Sequence, residues 1–281
     1  MTKEQNERIS RQYLIDLSAR LDSQNFEILR TIYKFKFMTA SQLQRIFFTK
    51  SSNNANNLRT CNRRLKKLQS YGVIDCLIHR IGGARAGSRG KVWVISSAGF
   101  QLLKLDSDLQ LKANRKRLME PSILFLEHTL TISEAYTKLI ELDHQKKIEL
   151  LEVQHEPRCW RTYSEKGVAT YLKPDLYVSL ALDEYVDHYF LELDRATEPP
   201  SKCIVKAKQY IAYANSAVEQ RQNENGVFPF VVWIVPNEKR REQLTRYIRY
   251  ELPKAEMLFR VITMAEFETL IAGDSEESAG V

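Results

Sequence analysis

The chain has 281 residues, 43% of them hydrophobic, and a net charge of +7, which is enough length and apolar content for two domains with buried cores. No apolar run reaches the roughly 18 residues of a membrane-spanning helix, and the polar start 1-MTKEQNERISRQ-12 predicts no secretory leader. Cys61, Cys76, Cys159 and Cys203 are scattered and form no CxxC pair, which argues against zinc-ribbon and dithiol redox chemistry and predicts a cytoplasmic protein with free thiols.

The charge is unevenly divided. Residues 1–120 hold 23 Lys and Arg against 9 Asp and Glu, and the remainder holds 19 against 26. A basic module followed by an acidic one predicts a nucleic-acid-binding domain with a second domain behind it. The boundaries expected are 1–110 for the first domain, 111–121 for a polar linker, 122–272 for the second domain and 273–281 for a disordered tail.

Helical spacing of Phe26, Leu29, Ile32 and Tyr33 predicts a helix over 24–37. A second, over 39–48, has Thr39 or Ser41 as N-cap and buries Leu43, Ile46 and Phe47. A third spans 51–72, opening on a run of capping residues and ending at Gly72, with Leu58, Cys61, Leu65 and Leu68 on one stripe. Its opposite face carries Asn57, Arg59, Arg63, Arg64, Lys66 and Lys67. Strands at 73–78 and 91–96 then flank 79-HRIGGARAGSRGK-91, which holds four glycines, four Arg or Lys and no acid, and a helix follows at 98–105. This order predicts a winged helix-turn-helix whose wing is the glycine–arginine loop. Asn54 and Asn57, beside Asn53 and Asn56, stand where a recognition helix meets base edges. Arg59, Arg63, Arg64 and Lys67 are expected on phosphates, and Arg85, Arg89 and Lys91 on the minor groove or the backbone. The plainer alternative is that the asparagines are caps and the cationic face is merely solvated.

The second domain is expected to begin with a helix over 122–145, whose stripe includes Leu126, Leu130, Ala135, Leu139 and Leu142. Strands follow at 148–156, 171–182 and 187–194, then a helix at 201–215 and a nearly all-apolar strand at 228–236 buried on both faces. A helix from Asn237 to about Glu251, a strand at 258–263 and a terminal helix complete an α/β domain with a mixed sheet. Asp175 follows Pro174 at a strand start, while Glu192 and Asp194 end the neighbouring strand and share a face. With Glu127 from the preceding helix, these carboxylates form a candidate Mg²⁺ or Mn²⁺ site for water activation at a phosphodiester.

The order Glu127, Pro174-Asp175, Glu192-x-Asp194 resembles the restriction-endonuclease-like PD-(D/E)XK fold, except that Asp194 stands where that pattern has lysine. Lys206, or its neighbours Lys202 and Lys208, is the candidate to reach back as a substitute, completing a catalytic set of Asp175, Glu192, Asp194 and Lys206. The alternative is a domain that keeps the fold without cleavage, with Asp194 and Arg195 in a structural ion pair at the strand end and Tyr210 and Tyr213 packed in the core. The five histidines lack the HxH spacing of a tyrosine relaxase. The stretches 127-EHTL-130, 174-PDLYV-178, 190-FLELDRATE-198 and 206-KAKQYIAYA-214, behind a winged helix, resemble the replication-relaxation family of plasmids and mobile elements. That resemblance implies that Asp194 is normal for the family. It also implies an accessory role on double-stranded DNA in plasmid replication or relaxosome processing, including conjugation. Its partners are then a relaxase or a replication initiator, and a homodimer is compatible with it. A metal-dependent nicking endonuclease and a transcriptional repressor whose second domain dimerises are the alternatives.

Overall fold

The computed structural model describes residues 10–77, 91–105, 121–165, 167–223 and 226–273. The chain forms two compact units, Met1–Thr137 and Lys138–Val281. It is α/β throughout, with a mixed five-stranded sheet and smaller sheets beside it.

In the first unit, α1 (Arg11–Ser18) and α2 (Ser23–Phe35) start at the N-caps Ser10 and Asp22. The two-residue strand β1 (Met38–Thr39) runs directly into α3 (Ala40–Phe47). Thr39 closes a capping box there: its hydroxyl accepts from the Gln42 amide at 3.1 Å and the Gln42 side chain accepts from the Thr39 amide at 2.9 Å. After α4 (Asn54–Ser70) come β2 (Ile74–Leu77), β3 (Val92–Ile95) and α5 (Ser97–Leu105). The three strands pair antiparallel in the order β1-β3-β2. The core beneath them is built from Leu17, Ile28, Leu29, Ile32, Leu43, Cys61, Leu65, Trp93 and Leu102, all essentially excluded from water.

Helix α6 (Ile123–His144) spans the division between the units. Its first turns pack with the first unit. Ser133 donates to the Phe37 carbonyl at 2.9 Å, Gln42 donates to the Leu130 carbonyl at 3.0 Å, and Tyr136 stacks on Phe35 at 4.2 Å between ring centres. By compactness the division falls inside α6; of the expected linker, 111–121, all but Pro121 lies outside the described residues.

In the second unit the large sheet has the order β10-β9-β8-β7-β4. Strands β4 (Glu149–His155), β7 (Leu176–Leu182) and β8 (Tyr185–Leu193) are antiparallel neighbours. Strands β8, β9 (Phe230–Val235) and β10 (Phe259–Thr263) run parallel, linked by α7 (Pro200–Ser216) with α8 (Val218–Gln222), and by α9 (Glu238–Glu251). Such parallel connections need a helix to carry the chain back along the sheet. Residues Val231–Val235 are all buried, as the apolar run predicts. The expected strand 171–182 is instead two, β6 (Val168–Leu172) and β7, because Pro174 cannot donate to a ladder. Strand β6 pairs with β5 (Arg161–Glu165), which no alternation announced, as a separate hairpin. The helix α10 (Phe267–Ala272) closes the unit.

Gly99 on α5 carries a steric constraint. A Cβ there would lie 2.0 Å from the Val73 carbonyl oxygen and 2.7 Å from Ile95 Cδ1. Gly99→Ala is therefore expected to destabilise the first unit by at least about 2 kcal/mol, an overpacking cost measurable by urea unfolding followed by circular dichroism.

Candidate functional site

Two constellations carry chemistry, one in each unit. In the first, Asn53 caps α4 by accepting from the Ala55 and Asn56 amides at 2.9 and 3.4 Å. Asn54 is exposed in the first turn. Asn57 departs from the expected base-reading position: it is 8% exposed. Its side chain is held by the Ser51 backbone, accepting from the Ser51 amide at 3.1 Å and donating to the Ser51 carbonyl at 2.8 Å. The buried stripe is thus Asn57, Cys61, Leu65 and Leu68, and Leu58, one position round, is displaced to the surface. Arg64 also leaves the expected set. Its guanidinium donates to Asp22 at 2.6 Å and to Asn25 at 3.2 Å, so it ties α4 to the start of α2. The hydrogen bond from Arg64 holds the Asp22 carboxyl below its usual range.

The exposed face of α4 is a shallow groove lined by Ala55, Leu58, Arg59, Asn62, Arg63 and Lys66. Arg59, Arg63 and Lys66 make no ion pair or hydrogen bond with the described residues. Asn62 and Lys66 belong to this face by the spacing 55, 58, 62, 66, which the sequence holds in view. The Lys67 ammonium lies 5.9 Å from the Tyr71 ring centre. Lys91 stands at the entry to β3, where its carbonyl accepts from the Ala40 amide at 3.2 Å. Arg85 and Arg89 lie outside the described residues. Glu127 lies on α6, in the part counted with the first unit.

In the second unit, Asp175 and Glu192 meet, as their strand positions predict. Asp175 precedes β7, and its Oδ2 accepts from the Leu193 amide at 2.8 Å, clamping the start of β7 to the end of β8. Glu192, 2% exposed, accepts from the Lys206 ammonium through Oε2 and from the Tyr210 hydroxyl through Oε1 at 2.5 Å. Lys206 and Tyr210 are four residues apart on α7, so they present on the same face. Burial is the main force raising the Glu192 pKa, Asp175 adds to it, and Lys206 and Tyr210 oppose it; the outcome is about 7. Burial works against the Lys206 charge, but Glu192 and Asp175 outweigh it and raise that pKa too. With two carboxylates facing one ammonium, Lys206 stays charged and the cluster retains a proton toward neutral pH.

Asp194 does not join this cluster. It lies just past β8 and accepts from Arg240 on α9, at 2.6 Å from Nε and 3.3 Å from Nη2, with both side chains nearly buried. The same guanidinium donates to the Glu198 carbonyl at 2.9 Å. Where the sequence suggests Arg195 as the partner of Asp194, the structure pairs it with Arg240, 46 residues away, which local pattern does not reveal. A second buried network went unread for the same reason: Arg161 Nε donates to Glu219 at 2.8 Å, and Tyr213 donates to the same carboxylate at 2.5 Å. Tyr210 and Tyr213 pack in the core, as expected, and also hold carboxylates.

Mg²⁺ and Mn²⁺ require open carboxylate oxygens. Both Glu192 oxygens and Asp175 Oδ2 are engaged, and Asp194 faces Arg240. Among the described residues no group of three His, Cys, Asp or Glu is placed to hold a metal ion. As arranged, the residues do not fit the expected metal site. All four cysteines are free thiols, and burial pushes Cys61 and Cys159 up to about 12, far from nucleophilic range.

These features define an α/β protein with an open cationic helix in one unit and a buried acid–lysine cluster in the other. A family model described as replication-relaxation matches residues 29–231, and the chain belongs to that family. No curated protein and no solved structure matches it. Family membership points to plasmid or mobile-element replication or relaxation. No helix among the described residues is long and apolar enough to cross a membrane.

Two outcomes follow. Asp194→Ala leaves a buried guanidinium unpaired and is expected to cost about 3–5 kcal/mol in urea unfolding, a loss that a solvent-exposed metal ligand would not produce. Glu192 binds a proton more tightly folded than unfolded, so its contribution is fully present below about pH 4.5 and is lost as pH rises through about 7. The stability difference between wild type and Glu192→Gln is therefore expected to shift toward the variant across that window, as measured by denaturant titrations at a series of pH values.

Proposed function

We propose that the chain binds double-stranded DNA through the exposed face of α4 and serves as an accessory protein in plasmid or mobile-element replication or relaxosome processing. The observation that carries this reading is the groove of α4, where Arg59, Asn62, Arg63 and Lys66 stand together and the cations have no protein anion opposite them among the described residues. Cations of this kind, left open, suit a polyanion. At 17 residues α4 is about 25 Å long, and its diameter suits a major groove. In this reading α2 to α5 and β1 to β3 form a winged helix-turn-helix, whose expected wing, 79–91, lies outside the described residues except for Lys91. Asn54, at the start of α4, and Asn62, further along, are the amides facing bases. The second unit, read as a PD-(D/E)XK-like fold held by internal ion pairs, is an assembly platform. A relaxase or replication initiator, or a second copy of the chain, is the partner it takes. Arg63→Ala is expected to lower duplex affinity and to reduce the slope of log affinity against log salt by about one in fluorescence-anisotropy titrations. An unchanged slope and affinity would overturn the assignment.

A second reading has its own observation: Asp175, Glu192 and Lys206 converge, an acid–acid–lysine set like that of the nucleases the sequence resembles. The saturated carboxylates weigh against it. Incubation of supercoiled plasmid with the protein and Mg²⁺ or Mn²⁺, beside Asp175→Ala, decides the matter. The expected result is a gel shift without nicked circles. Nicking that vanishes in the variant would make the chain an endonuclease.

A further inference from the structure

We infer that α4 reads the 5-methyl groups of thymine in the major groove, through Leu58 with Ala55, and that the preferred duplex therefore places thymines where these side chains fall. The inference rests on the duplex-binding reading above.

Leu58 is 37% exposed, in the second turn of a helix whose Cys61, Leu65 and Leu68 are buried. A lone exposed leucine is ordinary. This one is not alone: it shares a groove with Ala55, one turn earlier, and the rim of that groove is Arg59, Asn62, Arg63 and Lys66. An apolar strip enclosed by cations is poorly suited to an apolar protein partner, which would have to cover three charges along with it. A duplex satisfies both parts. Its phosphates meet the cations, and its one apolar group on a major-groove base edge is the thymine methyl. The strip also lies in the first two turns of α4, the part of a helix-turn-helix recognition helix that approaches base edges. Asn57, the residue the spacing of asparagines favoured as a reader, is buried and bonded to Ser51, which leaves Leu58 and Ala55 facing out at that depth.

The test uses the full chain and begins with selection from randomised duplexes made with thymine. The enriched duplex is then synthesised with each thymine replaced in turn by deoxyuridine, which differs only in lacking the methyl. The expected result is a loss of about fourfold in affinity at each contacted position, with Leu58→Ala abolishing that loss at the position Leu58 contacts and keeping it at the position Ala55 contacts. Leu58 is partly exposed, and circular dichroism of the variant checks that its fold is kept. An enriched duplex indifferent to deoxyuridine at every position, or salt-dependent binding with no sequence enriched, overturns the inference while leaving duplex binding intact. Absence of salt-dependent binding to any duplex overturns the reading beneath it, and the inference with it.

Discussion

The second unit depends on the burial of one carboxylate. Glu192 sits in β8, in the middle of the five-stranded sheet, almost wholly out of water. An ionised carboxylate left unpaired at that depth costs several kcal/mol, so its surroundings have little freedom. Lys206 and Tyr210 must both reach it, which fixes the rotation and the height of α7 over the sheet. One turn further along α7, Tyr213 binds Glu219, and Glu219 binds Arg161 at the start of β5. The Arg161 guanidinium lies over Tyr177 and Phe190, at 4.8 and 5.3 Å from their ring centres, joining the small hairpin to the main sheet. A row of polar contacts thus runs through an aromatic core and specifies how its layers register.

The same acid–acid–lysine chemistry can belong to a hydrolytic centre or to architecture, and a raised carboxyl pKa occurs in both. What separates them is whether oxygens remain open to a ligand. Here the Lys206 ammonium and the Tyr210 hydroxyl complete Glu192, and the β8 backbone engages Asp175. Asp194, standing where the nuclease pattern has lysine, is bound by Arg240 and so joins α9 to the end of β8. In this arrangement Asp175, Glu192 and Asp194 each fasten a different pair of elements.

Elements defined by periodicity or by local capping were legible in the sequence: α2, α3, α4 and the buried strand β9 come from spacing and apolar runs alone. The meeting of Asp175 with Glu192 was also legible, because consecutive antiparallel strands place their residues side by side. Pairings that depend on distant chain were not. Arg240 with Asp194 and Arg161 with Glu219 join residues 46 and 58 positions apart, and no local pattern selects one arginine from the many in the chain. The error at α4 is of another kind. Leu58 looks like core and Asn57 like surface, but a helix facing its neighbours through 57, 61, 65 and 68 leaves 58 at the edge. The asparagine goes inside because the Ser51 backbone, turning into the helix, offers it both a donor and an acceptor.

Thr39 serves two elements at once. It pairs with Val92 in the sheet and caps α3, while the next residue, Ala40, donates to the carbonyl of Lys91. The residue that ends the glycine–arginine segment and the residue that begins α3 are therefore joined by a hydrogen bond, with no flexible spacer between them. A load applied at Lys91 is delivered to the first turn of α3, and α3 packs on α4.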